Sequence, residues 1–231
     1  MFSILIPTYN EEENIKELIP KLKKVASSLN DKFEIIVADA GSKDKTVDIV
    51  KKNNVRVFIR KSPEFGSAIT EGIPKTKGDY IFTMDGDFSH NPKYLKEMWK
   101  YRKDYDIIIA SRWVDGGSSE QSLFRKWLSK FFNYFYKIGL SLNFYDMNSN
   151  FRLYKRSIFN ELKLDGKGTD ILPEILYKAK IKGYSILEIP FHYSPRKKGR
   201  SKLKLLNFGI IYFKRFLELW KLKNSIDETN K

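Results

Sequence analysis

The sequence predicts an α/β fold in which a doubly wound, mostly parallel sheet forms a single Rossmann-like domain, followed by a C-terminal amphipathic helix. Through residues 1–110, short β-branched runs alternate with amphipathic stretches. Such repeats build parallel sheets because each helix carries the chain back across the sheet to the next strand. The expected strands and helices alternate as 3–6, 12–29, 34–38, 45–52, 55–59, 67–75, 80–84, 92–102 and 107–110.

The rest of the chain has a different pattern. We expect a glycine-containing loop, an aromatic-rich helix, a polar stretch, a helix, a strand and a basic loop at 115–119, 122–142, 145–150, 170–182, 185–189 and 194–202. The aromatic run at 131–136 is core by default, with a lipid-facing groove as the alternative. We therefore divide the chain into a main domain, 1–202, and a tail, 203–231.

The tail mixes apolar and basic side chains between residues 202 and 223. This composition is typical of a helix that lies in a membrane interface with one apolar and one basic face. An amphipathic helix packed on the core has the same periodicity, so both interpretations stay open.

Composition limits the kinds of site that the chain can form. With 231 residues, 42% of them hydrophobic, the chain is long enough to bury a sizeable core. Because it has no cysteine and two histidines, disulfides and zinc–thiolate sites are excluded. A metal would be a hard cation such as Mg²⁺ or Mn²⁺ bound by oxygen. We expect His90 to begin a helix or to support such a site, not to ligate the metal directly.

Charge is concentrated in the second half of the chain. The net charge is +15, and residues 125–231 carry 23 Lys and Arg but 9 Asp and Glu. This asymmetry indicates nucleic acid, a membrane surface or a phosphorylated substrate as partner, or a solvated lysine-rich surface. Met1 leads directly into the first strand, so we expect a cytoplasmic protein without a signal peptide. Charged residues interrupt the apolar stretches 131–142 and 205–222, so neither predicts a membrane span.

Three polar motifs follow predicted strands, at 7–11, 39–42 and 85–87. In doubly wound sheets, ligands bind beyond the carboxyl ends of the strands, so we expect these motifs to meet at one rim. Asp85 and Asp87 are placed to share a divalent cation, with Gly86 allowing close approach of a phosphate. The alternative is a solvated turn in which Asp87 caps the next helix.

The other two motifs leave similar alternatives. Asp39, with the turn that follows it, is expected either to hold a nucleoside or to belong to a helix N-cap. Glu11 is either a ligand-binding carboxylate or an acid that the helix dipole favours in the first turn. Four arginines at element edges, Arg112, Arg125, Arg152 and Arg196, suit bidentate phosphate binding, although each could equally be a salt-bridge partner.

Together these motifs resemble the family-2 glycosyltransferases and, within them, the dolichyl-phosphate mannose synthases. The matching segments are 6–11, 36–42, 84–90, 111–114, 125–130, 150–154 and 196–203. The Arg125…Ser129 pair and the Arg196-x-x-Gly-x-Ser-Lys202 element are the parts that resemble polyprenyl-phosphate transferases. The resemblance covers nearly the whole chain to about Leu205 and implies a GT-A fold for the main domain. The tail lacks the membrane spans that some relatives carry, so we expect it to associate with the membrane as an interfacial helix, or a partner subunit to provide access to the lipid.

The resemblance also implies roles for individual residues. Those that would bind the donor are Pro7, Tyr9, Glu11 and Asp39 at the nucleoside, Asp85 and Asp87 at the metal and diphosphate, and Arg196 and Lys202 at the phosphates. Those that would hold the acceptor phosphate are Arg112, Arg125 and Ser129. Asp87, Arg112 and Arg125 would carry the catalysis.

The implied reaction transfers mannose from GDP-mannose to dolichyl phosphate with inversion and uses Mg²⁺ or Mn²⁺. The implied location is the cytoplasmic face of a membrane, with a possible anchoring subunit and without a nucleic-acid partner. Ala40 stands where the family usually has Asp, and Asn148 and Asn150 replace the usual Thr and Gly or Ser. The second hypothesis therefore keeps the enzyme class but has a UDP-sugar such as UDP-glucose as donor, or a glycan or glycolipid as acceptor. The third is a non-catalytic basic module for membranes or nucleic acid, which would leave the strand-end acids without a purpose.

Overall fold

The computed structural model describes residues 1–196 and 205–229. Its strands are β1 (Phe2–Thr8), β2 (Phe33–Asp39), β3 (Arg56–Ile59), β4 (Tyr80–Thr83), β5 (Ile107–Ser111), β6 (Ser118–Ser119), β7 (Arg152–Lys155), β8 (Ile186–Pro190) and β9 (His192–Tyr193). Its α-helices are α1 (Glu12–Ser27), α2 (Thr46–Lys52), α3 (Phe65–Thr70), α4 (Tyr94–Lys100), α5 (Leu123–Gly139), α6 (Ile171–Ile181) and α7 (Leu205–Thr229). Short 3₁₀ turns occupy Ile73–Lys75 and Arg156–Asn160.

Seven strands form the central sheet in the order β3-β2-β1-β4-β7-β5-β8, and β6 pairs separately with β9. The pairs β1–β2, β2–β3, β1–β4 and β5–β8 are parallel. This confirms the predicted α/β fold with a mostly parallel sheet. Reversal of the strand order beside β1 is what makes the sheet doubly wound.

The antiparallel strand β7 between β4 and β5 was not predicted. It is four residues long and begins with Arg152, which is fully buried. The Arg152 guanidinium donates to the carbonyls of Leu172 (2.9 Å) and Met147 (2.6 Å). Arg152, one of the arginines suggested for phosphate binding, is thus engaged by backbone carbonyls of the fold.

Apolar layers cover both faces of the sheet. In β1, Ile4 and Ile6 pack on the layer that contains α1 and α4, whereas Leu5 packs on the layer of α3, α5 and α6. This follows from the alternation of side chains along a strand. Burial on both sides explains why the central strands are continuous hydrophobic runs.

Helix α7 is partly embedded in the second layer. Its residues Tyr212, Phe216 and Leu219 are buried in that core, whereas Phe213 and Trp220 are exposed. The helix begins within the predicted tail, but the predicted separation into one apolar and one basic face is not confirmed. None of the described helices is both long and apolar enough to span a bilayer.

A buried charge cluster joins α7 to α6. Arg215 Nε donates to Asp170 Oδ2 (3.0 Å), and Arg215 Nη1 lies 3.8 Å from Glu174 Oε1. Glu174 is fully buried and also accepts from the backbone N–H of Gly166 (2.8 Å) and from Lys178 Nζ (2.5 Å). Burial raises the pKa of the Glu174 carboxyl, so the surrounding cations are what keep its charge tolerable.

We predict that Arg215→Ala lowers the free energy of unfolding by about 3 kcal/mol, because it leaves Asp170 without its partner in a buried setting. Lys214→Ala, at an exposed neighbouring position on α7, is the matched control and should change stability by less than about 0.5 kcal/mol. Urea unfolding of the two variants measures both values. Equal stability of the two variants would show that the cluster does not hold α7 on the core.

Candidate active site

A cavity of about 230 Å³ opens at the rim where β4 and β5 end. The predicted site residues that line it are Asp85, Asp87, Arg112, Arg125, Ser129 and Arg196. The acids come from the loop after β4, and Arg125 and Ser129 come from α5. The sheet rim thus brings two carboxylates together with arginine and serine side chains in one cavity.

Asp85 is held at both its backbone and its side chain. Its N–H donates to His90 Nδ1 (3.0 Å), and Asn150 Nδ2 donates to Asp85 Oδ1 (2.9 Å). Burial raises the pKa of the Asp85 carboxyl, and the nearby charge of Asp87 raises it further. Asp85 is therefore a carboxylate whose charge a cation would stabilise strongly.

His90 lies beneath the acids and supports them. It is buried and stacks on Phe151, with ring centroids 5.0 Å apart. Burial lowers the pKa of its imidazole, so the ring is neutral, and Nδ1 is the nitrogen that accepts the Asp85 N–H. Nε2 then carries the proton and faces Asp85 Oδ2 at 3.8 Å. His90 is thus placed to orient Asp85 by its position below the loop.

Asp87 and Glu11 both lie next to Arg196. Arg196 Nη2 is 3.1 Å from Asp87 Oδ2, and Arg196 Nη1 is 3.7 Å from Glu11 Oε1. The other oxygen of Asp87 accepts from the Ser89 N–H (3.0 Å). Arg196 therefore links the end of β1 to the Asp85–Asp87 loop. Lys202, its predicted companion at the donor phosphates, lies outside the described residues.

Arg112 is tied to an acid that the sequence analysis missed. Arg112 Nε and Nη2 donate to the two carboxylate oxygens of Asp146, each at 2.7 Å, and the Arg112 N–H donates to the same group (2.9 Å). Nη1, at 3.5 Å from Gln121 Oε1, is the least committed nitrogen. Asp146 thus fixes the direction from which Arg112 could reach a phosphate.

Arg125 and Ser129 lie one turn apart on α5 and so face the same side. The Arg125 side chain is exposed. Ser129 Oγ is buried and has no hydrogen-bond partner among the residues that the structure describes. A hydroxyl and a guanidinium on one helix face can together donate to the oxygens of a phosphate.

Asp39, Pro7 and Tyr9 do not line this cavity. Asp39 is fully buried, and its carboxylate accepts from the N–H groups of Gly41 (2.9 Å) and Ser42 (2.7 Å) and from the hydroxyls of Thr8 (2.7 Å) and Ser42 (2.6 Å). Four bonds use the usual accepting capacity of a carboxylate. In this structure Asp39 holds the turn after β2, and nucleoside contact by these three residues stays a prediction.

Gly86 lies close to packed neighbours. A side-chain carbon at this position would lie 3.2 Å from Thr8 Cγ2 and 3.4 Å from atoms of Ile15 and Ile6. The missing side chain is thus directed at packed neighbours on β1 and α1. Close packing is one reason for a glycine here, and close approach of a phosphate stays a prediction.

Asp85 and Asp87 fit a divalent cation that would be coordinated partly by the protein and partly by a substrate. Within residues 1–196 and 205–229, no group of three or more Asp, Glu or His side chains is arranged to hold a metal by itself. Mg²⁺ is commonly held by one or two carboxylates, with phosphates and water completing the shell. Asp85 and Asp87 match that donor set, and burial, which raises the pKa of the Asp85 carboxyl, makes added positive charge favourable there.

Residues 3–163 match the model of glycosyl transferase family 2. The chain belongs to this family. The family-2 resemblance stated in the sequence analysis is thereby confirmed.

Two curated relatives support the assignment. The chain is 34% identical to a dolichol-phosphate mannosyltransferase of Pyrococcus furiosus over 97% of its own length and 65% of that protein. It is 30% identical to an uncharacterized glycosyltransferase of Synechocystis sp., covering 97% of this chain and 73% of that one. The chain thus spans just under two thirds of the Pyrococcus relative.

Solved structures show the same fold. Glucosyl-3-phosphoglycerate synthase of Mycobacterium tuberculosis, in complex with Mn²⁺, UDP and glucosyl-3-phosphoglycerate, superposes with a TM-score of 0.76 at 17% identity, over 96% of this chain and 80% of that one. Its complex with Mg²⁺ and UDP gives a TM-score of 0.75 at 16% identity, over 96% and 79% of the two chains. The predicted GT-A fold is thereby confirmed.

We predict that binding of a nucleoside diphosphate with Mn²⁺ strengthens as the pH rises through the raised pKa of Asp85. A protonated carboxyl does not bind a divalent cation well, and a raised pKa keeps Asp85 protonated to a higher pH than an ordinary aspartate. Calorimetry across a pH series measures this dependence. Asp85→Asn is the control, because its pH dependence of binding comes from titration of the diphosphate and not from residue 85. Identical pH profiles for the two proteins would contradict the assignment.

Proposed function

We propose that this enzyme transfers mannose from GDP-mannose to a polyprenyl phosphate such as dolichyl phosphate, with inversion at the anomeric carbon. The observation that carries the proposal is that one cavity is lined both by the acids Asp85 and Asp87 and by the guanidinium of Arg125 and the hydroxyl of Ser129. A donor diphosphate and an acceptor phosphate both need sites, and the presence of acids and of a guanidinium with a hydroxyl in one cavity supports a separate site for each.

Different side chains bind the donor and the acceptor. Asp85 and Asp87 would hold a divalent cation, which stabilises negative charge on the departing diphosphate. Arg196, beside Asp87, adds a donor for the same phosphates. The acceptor phosphate is held by Arg125, Ser129 and Nη1 of Arg112. One of its oxygens is then aligned with the anomeric carbon.

No strong general base is required for this reaction. The acceptor phosphate is already an anion at neutral pH, so its oxygen attacks without giving up a proton. Positioning and electrostatic stabilisation of the leaving diphosphate then supply the rate enhancement. The neutral state of His90, which follows from the lowered pKa of its imidazole, agrees with a supporting role for this residue.

Similarity to the Pyrococcus dolichol-phosphate mannosyltransferase favours mannose and a polyprenyl phosphate. The second candidate is a UDP-sugar donor such as UDP-glucose. The Mycobacterium structures that share the fold contain UDP, and Ala40 departs from the residue usual in the mannose synthases. A direct comparison of donors distinguishes the two candidates.

We predict that the protein, supplied with Mn²⁺ and dolichyl phosphate, forms a lipid-linked sugar from radiolabelled GDP-mannose at a higher rate than from UDP-glucose. Asp87→Ala should lower the rate by at least about 100-fold, because the leaving diphosphate loses its metal ligand. Asp104→Ala removes an exposed carboxylate and is the matched control. Extraction of labelled lipid measures both rates. No lipid product from either donor would reject the proposal, and full activity of Asp87→Ala with an unchanged melting temperature would reject the metal role.

Helix α5 carries an aromatic surface that suits a membrane. Phe124, Trp127 and Phe131 are exposed, and their rings stack in sequence with centroids 6.4 Å and 5.6 Å apart. Basic side chains from the same helix accompany them, namely Arg125, Lys126 and Lys130. Aromatic rings with neighbouring cations are typical of segments that bind anionic membrane surfaces.

We propose that this surface, defined by Phe124, Trp127 and Phe131, places the enzyme peripherally on the cytoplasmic face of a membrane. Arg125 belongs both to the aromatic helix and to the cavity, so a lipid phosphate would reach the site without leaving the interface. Helix α7 adds exposed apolar side chains, including Phe213, whose ring lies 6.3 Å from that of Phe135 on α5. An anchoring subunit would act in addition to this contact.

We predict that replacing Phe124 and Trp127 with serine lowers binding to anionic liposomes by about tenfold or more, because two apolar side chains no longer enter the interface. Ile59→Ser, on the edge strand β3, removes an exposed apolar side chain elsewhere and is the control. Sedimentation with liposomes at two salt concentrations measures the loss. Deletion of 203–231 is unsuitable because it also removes the core residues Tyr212, Phe216 and Leu219. Unchanged sedimentation of the double variant would reject this surface.

A further inference from the structure

Two asparagines in the segment that leads into β7 form part of the cavity wall. Asn148 and Asn150 line the cavity together with Asp85. Their loop is anchored on both neighbouring strands, since Thr83 Oγ1 donates to the Asn150 carbonyl (2.7 Å) and Ser149 Oγ donates to the Ala110 carbonyl (2.8 Å). The two amides are therefore presented by a segment whose backbone is held in place.

The nitrogen of each amide is already used by the protein. Asn150 Nδ2 donates to Asp85 Oδ1 (2.9 Å), and a carboxylate oxygen can only accept. Asn148 Nδ2 donates to Asn133 Oδ1 (3.3 Å), an oxygen identified as such because it also accepts the Met147 N–H (3.0 Å). The orientation of both amides thus follows from their partners.

The oxygen of each amide is left for a ligand. Asn150 Oδ1 is buried and has no hydrogen-bond partner within residues 1–196 and 205–229. Asn148 is half-buried and lines the cavity, so a ligand in the cavity can reach its Oδ1. Leaving a buried carbonyl oxygen without a donor is unfavourable, so a site of this kind gains when a ligand supplies an O–H or N–H group.

We infer that Asn148 and Asn150 are specificity-determining residues whose amide oxygens accept hydrogen bonds from hydroxyl groups of the transferred sugar. This inference rests on the proposed function, because it assumes a nucleotide-sugar donor. Amide oxygens repel phosphate oxygens, which are acceptors too, so Asn148 Oδ1 and Asn150 Oδ1 are not suited to contact either phosphate. A hexose next to the diphosphate is the part of the donor that carries several O–H groups.

Asn150 also connects the sugar to the acids. Its Nδ2 holds Asp85 while its Oδ1 accepts from the sugar, so a sugar with a hydroxyl in the right position stabilises the amide that orients Asp85. Asn148 is connected through Asn133, which lies on α5. The two residues therefore occupy different positions around the sugar, and each should detect a different hydroxyl.

The test is calorimetric binding of nucleotide sugars in the presence of Mn²⁺, which does not depend on turnover. GDP-mannose, UDP-glucose and the monodeoxy analogues of whichever binds more tightly are compared with the free nucleoside diphosphate. The proteins are the wild type, Asn148→Ala, Asn150→Ala, Asn150→Ser and the control Asn143→Ala, an exposed position on the preceding segment. Thermal unfolding of each variant identifies any that fail to fold.

For each amide oxygen there should be one deoxy analogue that lacks the hydroxyl it binds. The wild type and Asn143→Ala should bind that analogue about tenfold more weakly than the parent nucleotide sugar, which is the effect of losing one hydrogen bond. Asn148→Ala and Asn150→Ala should each lose that preference at one hydroxyl and keep it at the other. Asn150→Ala should also weaken binding of the free diphosphate, whereas Asn148→Ala should not.

A folded Asn150→Ala or Asn150→Ser variant that keeps the full wild-type preference at every hydroxyl overturns the inference for Asn150, and the same holds for Asn148→Ala. Failure of the proposed function gives a different result. In that case the wild type binds a nucleotide sugar with the expected preferences but forms no lipid-linked product. A wild type that binds nucleotide sugars no more tightly than free diphosphates overturns the inference itself.

Discussion

The site depends on the antiparallel insertion of β7 between β4 and β5. Parallel strands end at the ligand-binding rim, whereas an antiparallel strand between them begins there. The residues just before β7 consequently lie beside those just after β4, and Asn150 reaches Asp85 across this junction. The same insertion brings Asp146 to Arg112 at the end of β5. The buried Arg152 side chain supports the arrangement by bonding to the carbonyls of Met147 and Leu172.

The charged side chains at this rim differ in how fully they are paired. Arg112 is neutralised by Asp146 in a bidentate pair, whereas burial raises the pKa of Asp85. Arg196 lies against Asp87 and Glu11. The acids are therefore the part of the cavity most suited to an added cation, and the exposed Arg125 is the part most suited to an added anion. This separation is consistent with two phosphate-bearing substrates that meet in one cavity.

Burial determined which polar residues face the cavity. Asp39 and Asp85 both follow apolar strands in the sequence. The Asp39 carboxylate, however, already accepts four hydrogen bonds, from the turn after β2 and from Thr8. Arg125 and Arg152 are both arginines near element edges, yet one is exposed and the other bonds to buried carbonyls. Sequence position indicates that such residues are near a rim. The direction of the side chain depends on neighbours far away along the chain.

The sequence by itself determined the class of fold, since hydrophobic periodicity reports which strands are buried on both faces. It also placed Asp85 and Asp87 at the end of a strand, which is a local property, whereas Arg125 and Ser129 were identified through the resemblance to polyprenyl-phosphate transferases. Only the tertiary structure decided the insertion of β7, which is too short and too polar to be recognised locally, and with it the placement of Asn150. Pairing between residues 65 positions apart depends on how the whole sheet is ordered, and no local pattern records that order.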